Sequence, residues 1–231
     1  LEQQIETKDI GTDDYDQLVN KHSEIKNEIE MIQRERIKFE YPDDDVMGDF
    51  DKTTRTTYLE TARDTNPNYG VDAWHTENCA NCVVANEARA RGYDVIAGSA
   101  DEDLARIYWD ENNNIVSGRG SWTDCFDGIK IDLVDGNDWL DVKSSIERLV
   151  EGYGSGSRAV VHVMFRNGNG HYFTVQKVFG SIRFTDSQYI DADTDEILKY
   201  CIPNLTKVMR VDNCKLTDKV RKAVKPNGKK H

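Results

Sequence analysis

From residue 158 the chain alternates between short apolar runs and turn signals. "RAVVHVMF" (158–165) is apolar nearly throughout, as a central strand buried on both faces would be. "NGNG" predicts a turn, "HYFTVQKV" a returning strand, "FGS" (179–181) a second turn, and "IRFTDSQ" a third strand. A meander of three antiparallel strands is therefore expected to form the sheet. "TDEILKYC" reads as a short helix and "TKVMRV" as an edge strand. Upstream, the alanine-rich run 80–91 is made of good helix formers and stops at Gly92, a natural residue just past a helix end. "RIYWDENNNIVS" predicts a hairpin with an Asn-rich turn. "NDWLDVKSSIERLVEGYGSGS" predicts an amphipathic helix with Trp139, Val142, Ile146, Leu149 and Val150 on one side, ended by glycines.

The first 40 or so residues follow another rhythm. Leu18, Ile25, Ile32 and Phe39 recur every seven positions, with His22, Ile29 and Arg36 between them. This predicts a short amphipathic helix or weak coiled-coil seam, interrupted by two polar positions. "YPDDDVMGD" (41–49) breaks the pattern with Pro42 and an acidic run. The expected organisation is a helical arm or linker over 1–45, followed by one mixed α+β domain over 46–231 with a basic C-terminal tail.

A length of 231 residues suffices for one well-buried domain and an appendage. Mean hydropathy of −0.70 is polar for a single globule, consistent with a segment outside the core. The net charge of −12 argues against a nucleic-acid surface, since phosphate contacts need clustered Lys and Arg. The one basic cluster, "KVRKAVKPNGKKH" (219–231), reads as a solvated tail. No apolar run approaches the roughly 18 residues of a membrane helix, so neither a nucleic acid nor a membrane is expected as partner. The chain opens on Leu1 rather than Met and reads as a piece of something larger. Five cysteines, an odd number, fit a reducing compartment better than a disulfide scaffold.

The stretch "ENCANCVVANEARARGYDV" (77–95) places two cysteines three apart at a helix start. Structural zinc would need four ligands, but Cys125, Cys201 and Cys214 are isolated and no paired histidines follow, so no metal is expected. A redox pair at a helix N-terminus is physically sound, because the helix dipole lowers thiol pKa. A thioredoxin-type arrangement would however place a strand before it, and "NYGVDAWHTE" is a poor strand. Two small residues packing a helix on a sheet is the plain alternative. A nucleophile, by contrast, needs a base and an orienter for that base. Among the five histidines, His22 lies in the arm, His75 in a loop, His162 inside the buried strand, and His231 at the end. His171 differs, opening a strand directly after glycines. Asp186 follows fifteen residues on, at the end of the next strand. A hairpin turning at 179–181 would bring these two side by side, where the carboxylate could orient the imidazole.

In this order — helix-start Cys, strand-opening His, strand-ending Asp — the chain resembles papain-like cysteine enzymes. More closely, "NPNYG…NCANCVVANEARARGYDVIAG", "SRAVVHVMF…GHYFTVQKVFGSIRFTDSQ" and "MRVDN" resemble the papain-fold toxin domains of bacterial polymorphic toxin systems, over roughly 66–213. The same domain ends some phage minor head proteins. The resemblance implies a papain-like α+β fold, in which a catalytic helix packs on a small antiparallel sheet behind a helical arm. It implies a cofactor-free cysteine hydrolase acting on protein, by deamidation of glutamine or by peptide cleavage. Its catalytic residues would be Cys79, His171 and Asp186. The family usually reads Asp-Pro-Gln where this chain has Ser187 in the middle. Cys79 is assigned as nucleophile with Asn78 as N-cap; Cys82, with Asn81 as N-cap, is the alternative. Helix amides, aided by the Asn78 or Gln188 side chain, would bind the oxyanion. Trp122 is read as core. Expected partners are a protein substrate and an immunity or virion protein. The expected setting is a delivered bacterial effector or phage virion acting in a cytoplasm. The reading from another class is a non-catalytic phage head module that interacts through its arm.

Overall fold

The computed structural model describes residues 16–27, 29, 45–52, 58–100, 122–178 and 180–228. Contacts divide the chain into two compact units, Leu1–Pro42 and Asp43–His231. In the first unit residues 16–27 are helical, with Leu18 and His22 half-buried and Ile25 exposed. Ile32, Arg36 and Phe39 lie outside the described residues, as does the hairpin expected in "RIYWDENNNIVS".

The second unit runs through α1 (Tyr58–Arg63), α2 (Ala73–Thr76), α3 (Cys79–Ala90), β1 (Val95–Ala97), β2 (Phe126–Asp127), β3 (Asp132–Leu133) and α4 (Trp139–Tyr153). It continues through β4 (Arg158–Met164), β5 (Gly170–Val178), β6 (Ser181–Thr185), α5 (Thr194–Lys199), β7 (Lys207–Arg210), β8 (Lys215–Leu216), α6 (Val220–Ala223) and β9 (Val224–Pro226). The main sheet has five strands in the order β3-β7-β4-β5-β6. Every pairing in it is antiparallel. The β4-β5-β6 meander forms as the turn signals predict.

The expectation for "TKVMRV" is corrected. Its strand, β7, lies between β3 and β4 rather than at the edge. The two-residue β3 takes the edge position, pairing Asp132 with Val208 and Leu133 with Lys207.

Two cores form because β4 is apolar on both faces. Ala159, Val161 and Val163 join Val142, Ile146 and Val150 of α4 on one side. Val160 joins Val83, Val84 and Ala88 of α3 on the other, with Trp122, Tyr172 and Met209. Helix α3 is buried almost all round, and its small side chains let the chain crowd against it. It ends as its sequence predicts. Gly92 takes φ 90°, Gly92 N–H donates to the Arg89 carbonyl at 2.8 Å, and Tyr93 N–H donates to the Ala88 carbonyl at 3.1 Å. These two bonds are a Schellman closure, which glycine permits at no steric cost. Helix α4 starts equally clearly, since the Asp138 carboxylate accepts from Leu140 N–H at 2.9 Å and Asp141 N–H at 3.0 Å.

One charged cluster fastens the C-terminal half of α3 to the sheet. Arg158 on β4 donates to Glu87 twice, at 2.6 Å from Nε and 2.8 Å from Nη2, and Arg91 Nε donates to Glu87 at 2.8 Å. Arg91 Nη2 also caps the carbonyls of Val211 and Cys214 at 2.9 and 2.8 Å. Glu87 is 1% exposed. Burial pushes its pKa up, but the two guanidiniums more than reverse this and leave it lowered.

Candidate active site

The site lies where the N-terminus of α3 meets the β5–β6 hairpin. Helix α3 begins at Cys79, whose side chain is partly exposed. His171 is the second residue of β5, and Asp186 follows the last residue of β6. Residues 179 and 180 alone join the two strands, with Val178 paired to Ser181 and Thr174 to Thr185. That register sets His171 Nε2 2.7 Å from Asp186 Oδ2. The His171 side chain is 15% exposed and that of Asp186 is 3% exposed. The other Asp186 oxygen accepts from the backbone N–H of Gln188 at 2.8 Å and of Tyr189 at 3.3 Å, which fixes the carboxylate plane.

Cys79 lies close enough to the same imidazole to act on its ionisation. Burial works against a charged His171, but its hydrogen bonds to Asp186 and Cys79 and the charge of Asp186 outweigh burial and raise the pKa to about 10. With Nε2 committed to Asp186, Nδ1 is the ring nitrogen left to serve the thiol. Thiol, imidazole and carboxylate thus converge, although 107 positions separate Cys79 from Asp186 (186 − 79). Such a row can move a proton off sulfur and return it to a leaving group.

Gly170, just before His171, is required by close approach. A Cβ there would lie 2.8 Å from His162 Nε2 and 3.1 Å from the Val163 carbonyl oxygen. His162 itself is a core residue, 2% exposed and stacked on Tyr172 with ring centroids 4.6 Å apart. Burial, first, and nearby Lys207 push its pKa down to about 3, so it is neutral. His75 bonds locally, its Nδ1 3.0 Å from Asp72. Trp122 is fully buried.

Cys82 stands differently from Cys79. It is 1% exposed, its thiol donates to Asn78 Oδ1 at 3.2 Å, and burial pushes its pKa well up. The helix starts at Cys79, so Asn81 is inside the first turn and does not cap it.

The side-chain amides expected to serve the oxyanion hold other partners in the structure. Asn78 occupies the N-cap position but makes no side-chain cap bond. Its Nδ2 donates instead to the Gly98 carbonyl at 2.8 Å and to Asn66 Oδ1 at 3.3 Å. Gln188 Nε2 donates to the Thr76 carbonyl at 2.7 Å and to Asn78 Oδ1 at 3.4 Å. Both N–H groups of each amide are thereby engaged. An uncapped helix start has another consequence: the N–H groups of Cys79, Ala80 and Asn81 have no intrahelical acceptor.

The sequence reading missed Asn66. It is 7% exposed, and its Nδ2 approaches the His75 carbonyl (3.0 Å), Asn78 Oδ1 (3.1 Å) and the Gln188 carbonyl (3.2 Å). One amide therefore ties the loop before α3, the helix start, and the chain after Asp186. In sequence it is an Asn before a Pro in a polar loop, the signature of a turn, and only its distant contacts reveal the role.

Among the described residues no group of three or more His, Cys, Asp or Glu is placed to hold a metal ion, and no helix is long and apolar enough to cross a membrane. All five cysteines are free thiols. Residues 77–189 match a family model described as papain fold toxin 1, glutamine deamidase. That span runs from just before Cys79 to just past Asp186. No curated protein and no solved structure gives a significant match.

Proposed function

We propose, from the match of residues 77–189 to the papain-fold glutamine deamidase toxin model, that this chain deamidates glutamine side chains of a protein through a thioester on Cys79. The Cys79 proton rests on His171 Nδ1 before the sulfur attacks the glutamine carboxamide carbon, in line with the raised His171 pKa. The oxyanion is held by the first backbone N–H groups of α3. Collapse expels ammonia, protonated by His171, and leaves a γ-glutamyl thioester. Water, deprotonated by the same imidazole, cleaves that thioester to give glutamate and the free thiol. Asp186 stabilises the imidazolium throughout. The toxin character of the family supports delivery as an effector that acts in a cytoplasm, with a neutralising partner protein where it is made.

The observation that carries this reading is the 2.7 Å His171–Asp186 bond beside a partly exposed thiol at a helix start. Cys79→Ser and Cys82→Ser, made separately, test it on candidate proteins by intact-mass spectrometry. The unsubstituted protein is expected to add the mass difference between an amide and a carboxylate without fragmenting its target. Cys79→Ser is expected to abolish this and Cys82→Ser to retain it. The reverse pattern would move the nucleophile to Cys82, and fragments in place of the mass shift would make the chain a cysteine peptidase.

A further inference from the structure

Eight large hydrophobic side chains stand exposed among the described residues, and four of them flank the triad. Tyr69 (40% exposed), Val71 (73%) and Trp74 (57%) precede Cys79, and Tyr189 (44%) follows Asp186. The Tyr69 and Tyr189 rings stack, with centroids 5.0 Å apart, so both segments contribute to one surface.

This surface is built rather than accidental. Tyr69 N–H donates to the Asn66 carbonyl at 3.2 Å, Val71 N–H donates to the Asn68 carbonyl at 3.0 Å, and Gly70 between them takes φ 79°. Trp74 rides on α2, which is capped by Asp72 accepting from His75 N–H at 2.8 Å. The Trp74 carbonyl accepts from Ala100 N–H at 2.8 Å. Asn66, beneath, ties this loop to Gln188. Rigid aromatic side chains displayed on fixed backbone lose little entropy on binding, and anchors at interfaces have this character. Water-exposed apolar surface on the segments that lead into Cys79 and out of Asp186 offers nothing to free glutamine, which is small and zwitterionic. It suits a polypeptide that carries apolar side chains next to its target carboxamide.

We infer that Tyr69, Val71, Trp74 and Tyr189 form the substrate-docking surface, and that it selects protein glutamines flanked by exposed apolar residues. This rests on the deamidase reading above, whose substrate class it narrows.

The test uses two peptides with a common Gly-Gln-Gly centre, one flanked by Leu and Phe, the other by Ser and Thr. Binding is measured calorimetrically with the full chain carrying Cys79→Ala. Burying two apolar side chains is expected to make the apolar-flanked peptide bind at least about tenfold more tightly. Trp74→Ser added to that chain is expected to bring the ratio near one. Val71→Ser, at the most exposed position, repeats the measurement where folding is least at risk. Equal binding of both peptides, or a preference that survives both substitutions, overturns the inference. So does a surface that instead mediates self-association in sedimentation, or uptake onto phosphatidylcholine vesicles, in a manner lost with Trp74→Ser. Ammonia release by the chain with Cys79 intact separates the two claims. Preferential binding without ammonia release keeps the docking surface and sinks the deamidase reading. Ammonia release without preference does the opposite.

Discussion

The two ends of α3 are both buried and both polar, yet they are held by different chemistry. At the C-terminal end three formal charges meet, Glu87 with Arg158 and Arg91, and they join helix to sheet. At the N-terminal end, under the thiol, the contacts are neutral amides: Asn66, Asn78 and Gln188. Charges in a low-dielectric interior act at range, and a fixed charge beside a nucleophile would bias its ionisation. Amides orient strongly while adding no net charge. The molecule thus concentrates fixed charge about two turns of helix away from the sulfur and leaves the charge balance there to His171 and Asp186. The lesson is that the holding function and the tuning function are physically separated along one helix.

Three measurements put this contrast at risk. The largest effect is expected from Glu87→Ala, which leaves two buried guanidiniums without their carboxylate. A stability loss of about 3–5 kcal/mol in urea titration is expected, with the turnover of the fraction still folded unchanged. Loss of turnover at full folding would show that the far end also tunes the site.

Asp186→Asn should come next, lowering turnover about 100-fold and lowering the His171 pKa from about 10. The sign follows from a raised value. An imidazole whose folded pKa exceeds the unfolded 6.5 contributes stability fully below about pH 6.5, and that contribution is lost as pH rises to about 10. The stability advantage of the unsubstituted protein over Asp186→Asn should therefore shrink across that interval. An advantage that grows with pH would contradict the assignment. NMR titration of the His171 ring gives the pKa directly.

The smallest effect is expected from Asn66→Ala. Removing a buried amide that serves three segments should cost about 1–3 kcal/mol. It should also lower kcat more than it raises KM for the polar peptide, since it acts on the spacing of thiol and imidazole. Stability loss with kcat intact would reduce Asn66 to a plain structural tie.

How much of this was legible in the chain depended on range. Helix α3 could be read from its alanines and Gly92, α4 from its apolar stripe, and β4 from unbroken apolarity, because each signal is local. The position of β7 could not. Its pairing with β4 joins Val160 to Met209 and Val161 to Val208, and nothing in "TKVMRV" distinguishes an edge strand from one covered by the two-residue β3. The convergence of His171 and Asp186 was readable because a short turn lies between them. The partners of the Asn78 and Gln188 amides were not, because they include Asn66, Thr76 and Gly98, twelve to 112 positions away. Cys79 and Cys82 look alike in sequence and are told apart by burial, by the thiol bond of Cys82 to Asn78 and by the helix start at Cys79.

The connection at residues 179–180 carries a consequence for how this chemistry can vary. Side chains along a strand switch sides with each step, so the hairpin behaves as a two-phase clock, and the imidazole meets its carboxylate in only one phase. Slipping β6 by one residue against β5 would turn one partner to the opposite side of the sheet with neither side chain altered. Register in that hairpin is therefore as much a part of the machinery as the identities of the groups it aligns.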